Sequence, residues 1–330
     1  MLNEFRQDLV SGEWVLFATG RAKRPEQNSH SVDVLVSSKT DCPFEEPEKK
    51  GNEVLATYSN QDKSDWTIKV SKNKFPAVTE GEAGPVKNQG PFGVESAMGI
   101  HEVVIFRDHE RCLCRYDKQE MAEIFKVYQD RYLNSFDHGS RKYTLIFNNH
   151  GKSAGASIVH PHSQIMSIPI LPPDVRRSIH GSEKFYKENK KKIYDVMVDW
   201  EIAEKKRIVV ENEYFVAFCP FVSRAPYEVR IFPRSGDAHF EKTPEDRLIF
   251  LGDIMSIVLG KISKSLNEPD YNFFIHTAPL QETETDPHEF YTWHIEILPK
   301  MSMVGAFEIG SGIDVNVVDP DEAAKLLRET

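Results

Sequence analysis

A series of short matches recurs in the same order in the two halves of the chain, and it constrains the fold more than any other feature. HEVVIF at 101–106 answers YEVRIF at 227–232, and YTLIFN at 143–148 answers YNFFIH at 271–276. HPHSQIMSIP at 160–169 answers TWHIEILP at 292–299 when His162 is set against His294 and Gln164 against Glu296. The spacings between matched positions (101 to 227, 143 to 271, 162 to 294) are 126, 128 and 132 residues, a drift of the size that small loop insertions produce. Two related units therefore divide the 330 residues, with a boundary near residue 180 and halves of 1–180 and 181–330.

Within each half a helix is expected between the first and second matches. Asp117 with Glu120 forms a capping-box pattern, and Met121, Ile124, Phe125, Tyr128 and Tyr132 follow at helical spacing. In the second half Thr243 is the expected N-cap, Pro244 suits the first turn, and Leu248, Leu251, Met255, Val258, Leu259 and Ile262 form the apolar stripe. Each half thus reads strand, strand, helix, strand, strand, an α+β unit with a mainly antiparallel sheet and a helix packed on it. The LPPDV turn at 171–175 closes the first half, and SEKFYKENKKKIYDVMVDWEIAEKK reads as one long charged helix between them, its Lys190–Lys192 run a solvated face.

Charge and composition exclude some classes of partner. A net charge of −10 argues against nucleic acid, whose binding draws on clustered Lys and Arg, and no apolar run reaches membrane-spanning length. The N-terminal stretch has no secretory pattern, so a cytoplasmic location is expected. Cys42, Cys112, Cys114 and Cys219 form no CxxC pair and no disulfide framework; the last three are expected in strands or core. His30, His109, His180 and His239 have no chemical neighbours in sequence and are expected at the surface.

The chemistry concentrates at VHPHSQ, 159–164. In an extended strand His160, His162 and Gln164 point to one face. A neutral imidazole attacks phosphorus and leaves again readily, so a positioned histidine is a good covalent carrier of a nucleotidyl group. The lead-in NNHGKSAGAS supplies small residues, and Gly151, Gly155 and Ser157 would let backbone N–H groups approach phosphate oxygens. It is not a Walker A loop, because Ile146 stands where the first glycine is required. Arg21, Lys23 and Arg24 could clamp a diphosphate or form a solvated basic turn. Cys42, Glu45, His101 and His160 are zinc-type donors; His276, His294 and Glu296 either hold a second metal or complete a polar core.

Taken together, RQDLVSGEWVLFATGRAKRP, CPFE, SKNKFPAV, HEVVIF, NNHGKSAGASIVHPHSQ, FFIHTAP, WHIEILP and GAFEIGSGIDVN resemble the galactose-1-phosphate uridylyltransferase family, a branch of the histidine-triad superfamily built from two fused triad-like halves. The resemblance runs from about Arg6 to about Leu327. It implies ping-pong transfer, with UDP-glucose giving a uridylyl-histidine that galactose 1-phosphate then relieves. His162 matches the nucleophile, Ser157 and Gln164 the groups holding phosphates, and Asn149 a residue of the nucleotide site. Arg21 and Arg24 match phosphate-contacting arginines, Asn73 and Phe75 the uridine pocket, and Glu308 the acid that reads sugar hydroxyls. His160 matches a zinc ligand. Where metal-bearing relatives have CPxC this chain has Cys42-Pro43-Phe44-Glu45, so the implied zinc set is Cys42, Glu45, His101 and His160. At the second metal position Glu296 stands where some members have histidine, and the further carboxylate falls near Ser178, a poor replacement. Nucleotide sugars and sugar phosphates are the implied small-molecule partners, and a homodimer the implied assembly. Lys74 stands where many uridylyl enzymes place an acid, which leaves open an adenylyl-transferring relative acting on ADP-sugars or dinucleotides. A non-catalytic nucleotide-binding protein is the remaining alternative, disfavoured by the intact set His160, His162, Gln164 and Ser157.

Overall fold

The chain is seen in a computed structural model that describes residues 3–23, 38–59, 64–81, 84–136, 143–279 and 287–330. A hairpin of β1 (Glu4–Gln7) and β2 (Trp14–Phe17) precedes the first half. That half runs β3 (Val54–Ser59), β4 (Trp66–Lys72), the small hairpin β5 (Lys87–Gln89) and β6 (Phe92–Val94), β7 (Ile100–Phe106), α1 (Lys118–Phe136), β8 (Tyr143–His150) and β9 (His162–Ile168). Two connecting helices follow, α2 (Pro173–Asn189) and α3 (Ile193–Glu204). The second half runs β10 (Ile208–Glu211), β11 (Phe215–Phe218), β12 (Val229–Pro233), α4 (Glu245–Ser265), β13 (Tyr271–His276) and β14 (His294–Pro299). The chain closes with α5 (Ala306–Ser311), β15 (Asp314–Asn316), which lies parallel to β2, and α6 (Pro320–Glu329).

The fold is α+β. Each half contributes five strands, one more before the helix than the sequence matches imply, and the ten form a single antiparallel sheet of order β10-β11-β12-β14-β13-β8-β9-β7-β4-β3. The halves meet edge to edge where β13 pairs with β8, Ile275 opposite Ile146. Residue 180, the expected boundary, falls inside α2.

One face of this sheet is covered by α1 and α4. Asp117 and Glu120 cap α1 reciprocally, Oδ1 accepting from Glu120 N–H at 3.0 Å and Glu120 Oε2 from Asp117 N–H at 2.8 Å. The cap of α4 is Pro244 rather than Thr243, a one-residue displacement. All the apolar positions expected on both helices are buried in one core that spans the two halves. Gly252 of α4 lets the helices touch: a Cβ there would stand 2.3 Å from the Lys118 carbonyl oxygen and 2.8 Å from Ala122 N. Gly252→Val is therefore expected to force α1 and α4 apart at a cost of about 1–3 kcal/mol, read as a lower urea midpoint.

The other face is treated differently in the two halves. Over the second half α2 and α3 lie on the sheet, packing Val175, Ile179, Tyr194 and Val198 against Val216, Phe218 and Phe232. The stretch expected as one long helix is thus two. Lys190 adopts a left-handed conformation (φ 55°) that ends α2, and α2 begins earlier, at Pro173, whose fixed φ suits a first helical position. Over the first half, among the described residues, a small cluster of Cys42, Phe44, Val103 and Ile105 covers the sheet.

The ladders also correct the internal alignment by one residue. Val103 pairs with Gln164 in the first half and Arg230 with Glu296 in the second, so Val103 corresponds to Arg230 and not, as HEVVIF against YEVRIF implies, to Val229. Face decides this: Val229 is in the helix-covered core, whereas Val103 and Arg230 are on the other side. Among the cysteines, Cys219 is buried, whereas Cys112 and Cys114 are half-buried in a short turn with their sulfurs side by side. The short 3-10 turn Leu113–Arg115 brings the two sulfurs, two residues apart, to the same side.

Candidate active site

His162 opens β9 on the open face of the first half, with Gln164 two residues on. His162 is 8% exposed, and the Phe44 ring meets it edge-on with centroids 5.0 Å apart. Its Nδ1 lies 2.9 Å from the His160 carbonyl oxygen. A carbonyl only accepts, so the ring proton sits on Nδ1 and the Nε2 lone pair is free. Burial pushes the imidazole pKa down from its ordinary value, which keeps the ring neutral and nucleophilic. The ring borders a cleft of about 150 Å³ lined also by Asn149, Gly151, His160 and Asp270.

The strand beneath is held rigidly. Asn148 Nδ2 donates to the His162 carbonyl at 2.7 Å and to Ser163 Oγ at 3.1 Å, and Tyr128 of α1 donates to the same Oγ at 2.6 Å. The glycine-rich lead-in is held by the second half. Asp270 accepts from Ser153 N–H at 2.8 Å and Ser153 Oγ at 2.7 Å, while Asn272 Nδ2 donates to Asn149 Oδ1 and the Ala154 carbonyl, both at 2.8 Å. The N–H groups of Ser153, Gly155 and Ala156 are thus used to shape the loop, the last two donating to the Lys152 and Gly151 carbonyls, rather than left open for phosphate. Gly151 has φ 83°, and a Cβ on it would stand 1.7 Å from Asp270 Oδ1. Gly151→Ala is expected to displace the loop and lower turnover at least about tenfold at a cost of about 1–3 kcal/mol, read by kinetics and thermal melting together.

Behind His162 four donors converge. His160 Nδ1 lies 3.5 Å from Cys42 Sγ, 3.1 Å from His109 Nδ1 and 3.8 Å from Glu45 Oε2, and Glu45 Oε2 is 3.4 Å from His109 Nδ1. His160 Nε2 donates to the Phe106 carbonyl at 2.5 Å, leaving Nδ1 as a bare donor, and burial lowers its pKa to about 4. Glu45 Oε2 is buried without a hydrogen-bond partner. The ligand atoms of Cys42, His109 and His160 all lie within 4.8 Å of one another, close enough to share one cation, and the Glu45 carboxylate stands beside the two histidines. Cys42, Glu45 and His160 were expected here; His101 is elsewhere and His109, expected at the surface, is 2% exposed and takes its place. Antiparallel pairing is the reason. His160 precedes β9 and so meets the end of β7, at Phe106 and beyond, whereas His101 at the start of β7 pairs with Met166 near the end of β9.

The second half repeats the histidine geometry and closes it off. His294 Nδ1 lies 3.1 Å from the Thr292 carbonyl, as His162 does from that of His160. Phe232 stacks on the His294 ring at 4.8 Å and Tyr194 of α3 lies over it at 5.6 Å, so the ring is covered by aromatic side chains. His276 Nε2 and His294 Nε2 are 3.9 and 3.5 Å from Glu296 Oε1. Arg224 binds Glu296 Oε2 at 2.6 Å and Arg230 approaches Oε1 at 3.3 Å; burial opposes ionisation, but the two guanidiniums hold the carboxyl well below its ordinary range. The positive charge that a cation would supply is already present. With Ser178 bordering the same pocket in place of a carboxylate, these residues fit a cation poorly.

Known proteins resemble this chain along its whole length. A family model described as galactose-1-phosphate uridyl transferase, N-terminal domain, matches residues 1–172, and one for a domain of unknown function matches 98–329. The chain belongs to the galactose-1-phosphate uridylyltransferase family. Within that family it is 33% identical to ADP-glucose phosphorylase of Arabidopsis thaliana over 99% of this chain and 92% of the relative. It is 31% identical to galactose-1-phosphate uridylyltransferase of Thermotoga maritima over 99% and 98%. The crystal structure of the Arabidopsis ADP-glucose phosphorylase with bound ADP-glucose superposes with a TM-score of 0.84 at 31% identity, covering 100% of this chain and 99% of that one.

Of the other residues that family resemblance singles out, Asn149 borders the His162 cleft and Gln164 follows His162 on its strand. Asn73 reaches Gln164 through His101. Ser157, Arg21 and Phe75 are exposed, Phe75 at 84%. Glu308 lines a different cavity, of about 500 Å³, together with His276, Arg224 and Lys300. Arg24 and His30 lie outside the described residues. His180 is exposed as expected, but His239 is buried, with Nδ1 3.1 Å from Glu241 Oε1. No described helix is long and apolar enough to cross a membrane.

Proposed function

We propose that this family member transfers an adenylyl group through a covalent nucleotidyl-His162, splitting an ADP-sugar with phosphate. The bare Nε2 of His162 facing the cleft carries the reading. In the first step Nε2 attacks the α-phosphorus, a P–N bond forms, and the P–O bond to the sugar 1-phosphate breaks with that group leaving. In the second, an oxygen of inorganic phosphate attacks the same phosphorus, the P–N bond breaks, and ADP departs with the imidazole restored. Gln164 donates to the phosphoryl oxygens as charge develops, and Asn149 and Ser157 contribute to holding the nucleotide. Arg21, Arg24 and Glu308 are proposed contacts to diphosphate and sugar, and Asn73 and Phe75 to the base.

The full-length likeness to an ADP-glucose phosphorylase favours adenylyl over uridylyl transfer. The Thermotoga relative supports uridylyl transfer as the second reading. Cys42, Glu45, His109 and His160 would hold a zinc ion that ties the segment around Cys42 to the turn preceding His162; its chemistry there is structural. Incubation with ADP-glucose or UDP-glucose without acceptor, followed by intact mass measurement, separates the two readings. An adenylyl adduct that inorganic phosphate discharges as ADP is expected; a uridylyl adduct in its place would establish the second reading, and no adduct with either donor would overturn both.

A further inference from the structure

We infer that His101 is a positioning residue for Gln164, orienting that side-chain amide so that its NH2 edge is presented to the transferring phosphoryl group. The inference rests on the proposed nucleotidyl transfer for its kinetic consequences but on geometry for the orientation itself. Val103 pairs with Gln164 and His101 with Met166, so His101 and Gln164 are diagonal neighbours on the open face. His101 Nε2 lies 2.7 Å from Gln164 Oε1. A glutamine amide can present either edge, and the difference is consequential: one edge donates, the other would set a carbonyl oxygen against an anion.

The ring's other nitrogen breaks the ambiguity. Ala77 N–H points at His101 Nδ1 at 3.1 Å, and a backbone N–H is a donor that cannot be turned round. Nδ1 therefore accepts, the ring proton is on Nε2, and Nε2–H donates to Gln164 Oε1. The opposite tautomer would set Nδ1–H against the Ala77 N–H. Asn73 Nδ2 also stands 3.1 Å from Nε2, with its Oδ1 held by Phe75 N–H at 2.9 Å. The Asn73 N–H donates in turn to the His101 carbonyl at 2.8 Å. The segment 73–77 and the phosphate-facing amide are thereby joined through one imidazole.

The test is a double-mutant cycle with controls. His101→Ala is expected to lower kcat about 10–100-fold, with KM for the nucleotide sugar changed less than about threefold and metal content unchanged. His101→Gln, which can accept from Ala77 and donate to Gln164, is expected to recover most of that loss. In a Gln164→Ala background, adding His101→Ala is expected to cost less than about twofold, because the two residues act as one unit. Loss of metal in His101→Ala, failure of His101→Gln to recover activity, or additive losses in the double variant would each overturn the inference. The side-chain amide NMR signals of Gln164, assigned by their absence in Gln164→Ala, provide a readout independent of catalysis. A distinct resolved pair in the wild type that shifts and broadens in His101→Ala supports the orientation, and an unchanged pair refutes it even if the chain transfers no nucleotide.

Discussion

His162→Asn is expected to lose turnover by about four to six orders of magnitude and to form no nucleotidyl adduct, while melting within a few degrees of the parent. The side chain that departs is the proposed nucleophile. The carbonyl of His160, which accepts its proton, and the Asn148 amide, which holds the backbone carbonyl of residue 162, both survive the substitution, so the strand should stay in place. A variant that retained measurable covalent labelling would move the nucleophile elsewhere. Among the described residues the alternative is limited: the counterpart ring, His294, is enclosed by Phe232 and Tyr194.

The second large effect is expected at the four-donor cluster. Cys42→Ser and His109→Ala should each abolish the zinc binding proposed for this cluster, taking it from about one per chain to near zero, measured by elemental analysis after gel filtration. Stabilisation by the metal, about 4 kcal/mol when free zinc exceeds its Kd a thousandfold, should vanish with it. The physical reason lies in the donors: His160 Nδ1, His109 Nδ1, Cys42 Sγ and the unpartnered Glu45 Oε2 converge within a buried space, and without a cation they oppose one another. His101→Ala should keep its zinc, because His101 faces Gln164 and not this cluster. If His101→Ala lost zinc and His109→Ala kept it, the assignment of ligands would be reversed.

Much of the site was legible because local chemistry announces it. HPHSQ places His162 and Gln164 on one strand face, and the observed β9 does so. The reciprocal Asp117–Glu120 cap and the apolar stripes of both core helices depend on residues three and four apart, so they too are readable in one dimension. His109 was not legible from spacing, since it follows His101 by only eight positions and has no motif of its own. One signal did exist: an antiparallel β7–β9 pair must bring the segment before β9 to the end of β7, which selects His109 and rejects His101. The one-residue error in aligning the repeat has the same origin, because letter similarity ignores which face a strand residue occupies while the ladder does not.

The sequence by itself determined the α+β fold, the strand face that carries His162 and Gln164, and three of the four converging donors, because each rests on short-range periodicity or on residue chemistry. Only the tertiary structure decided which half has its histidine face covered by helices. Both halves keep a histidine whose Nδ1 faces the carbonyl two residues back, but α2 and α3 fold over the second and leave the first with an open cleft. It also decided that the loop beside His162 is held by Asp270 and Asn272 from the other half, a contact made across the β8–β13 seam. Such contacts join residues more than a hundred positions apart, and no local propensity encodes them; they exist only once the two sheets have become one.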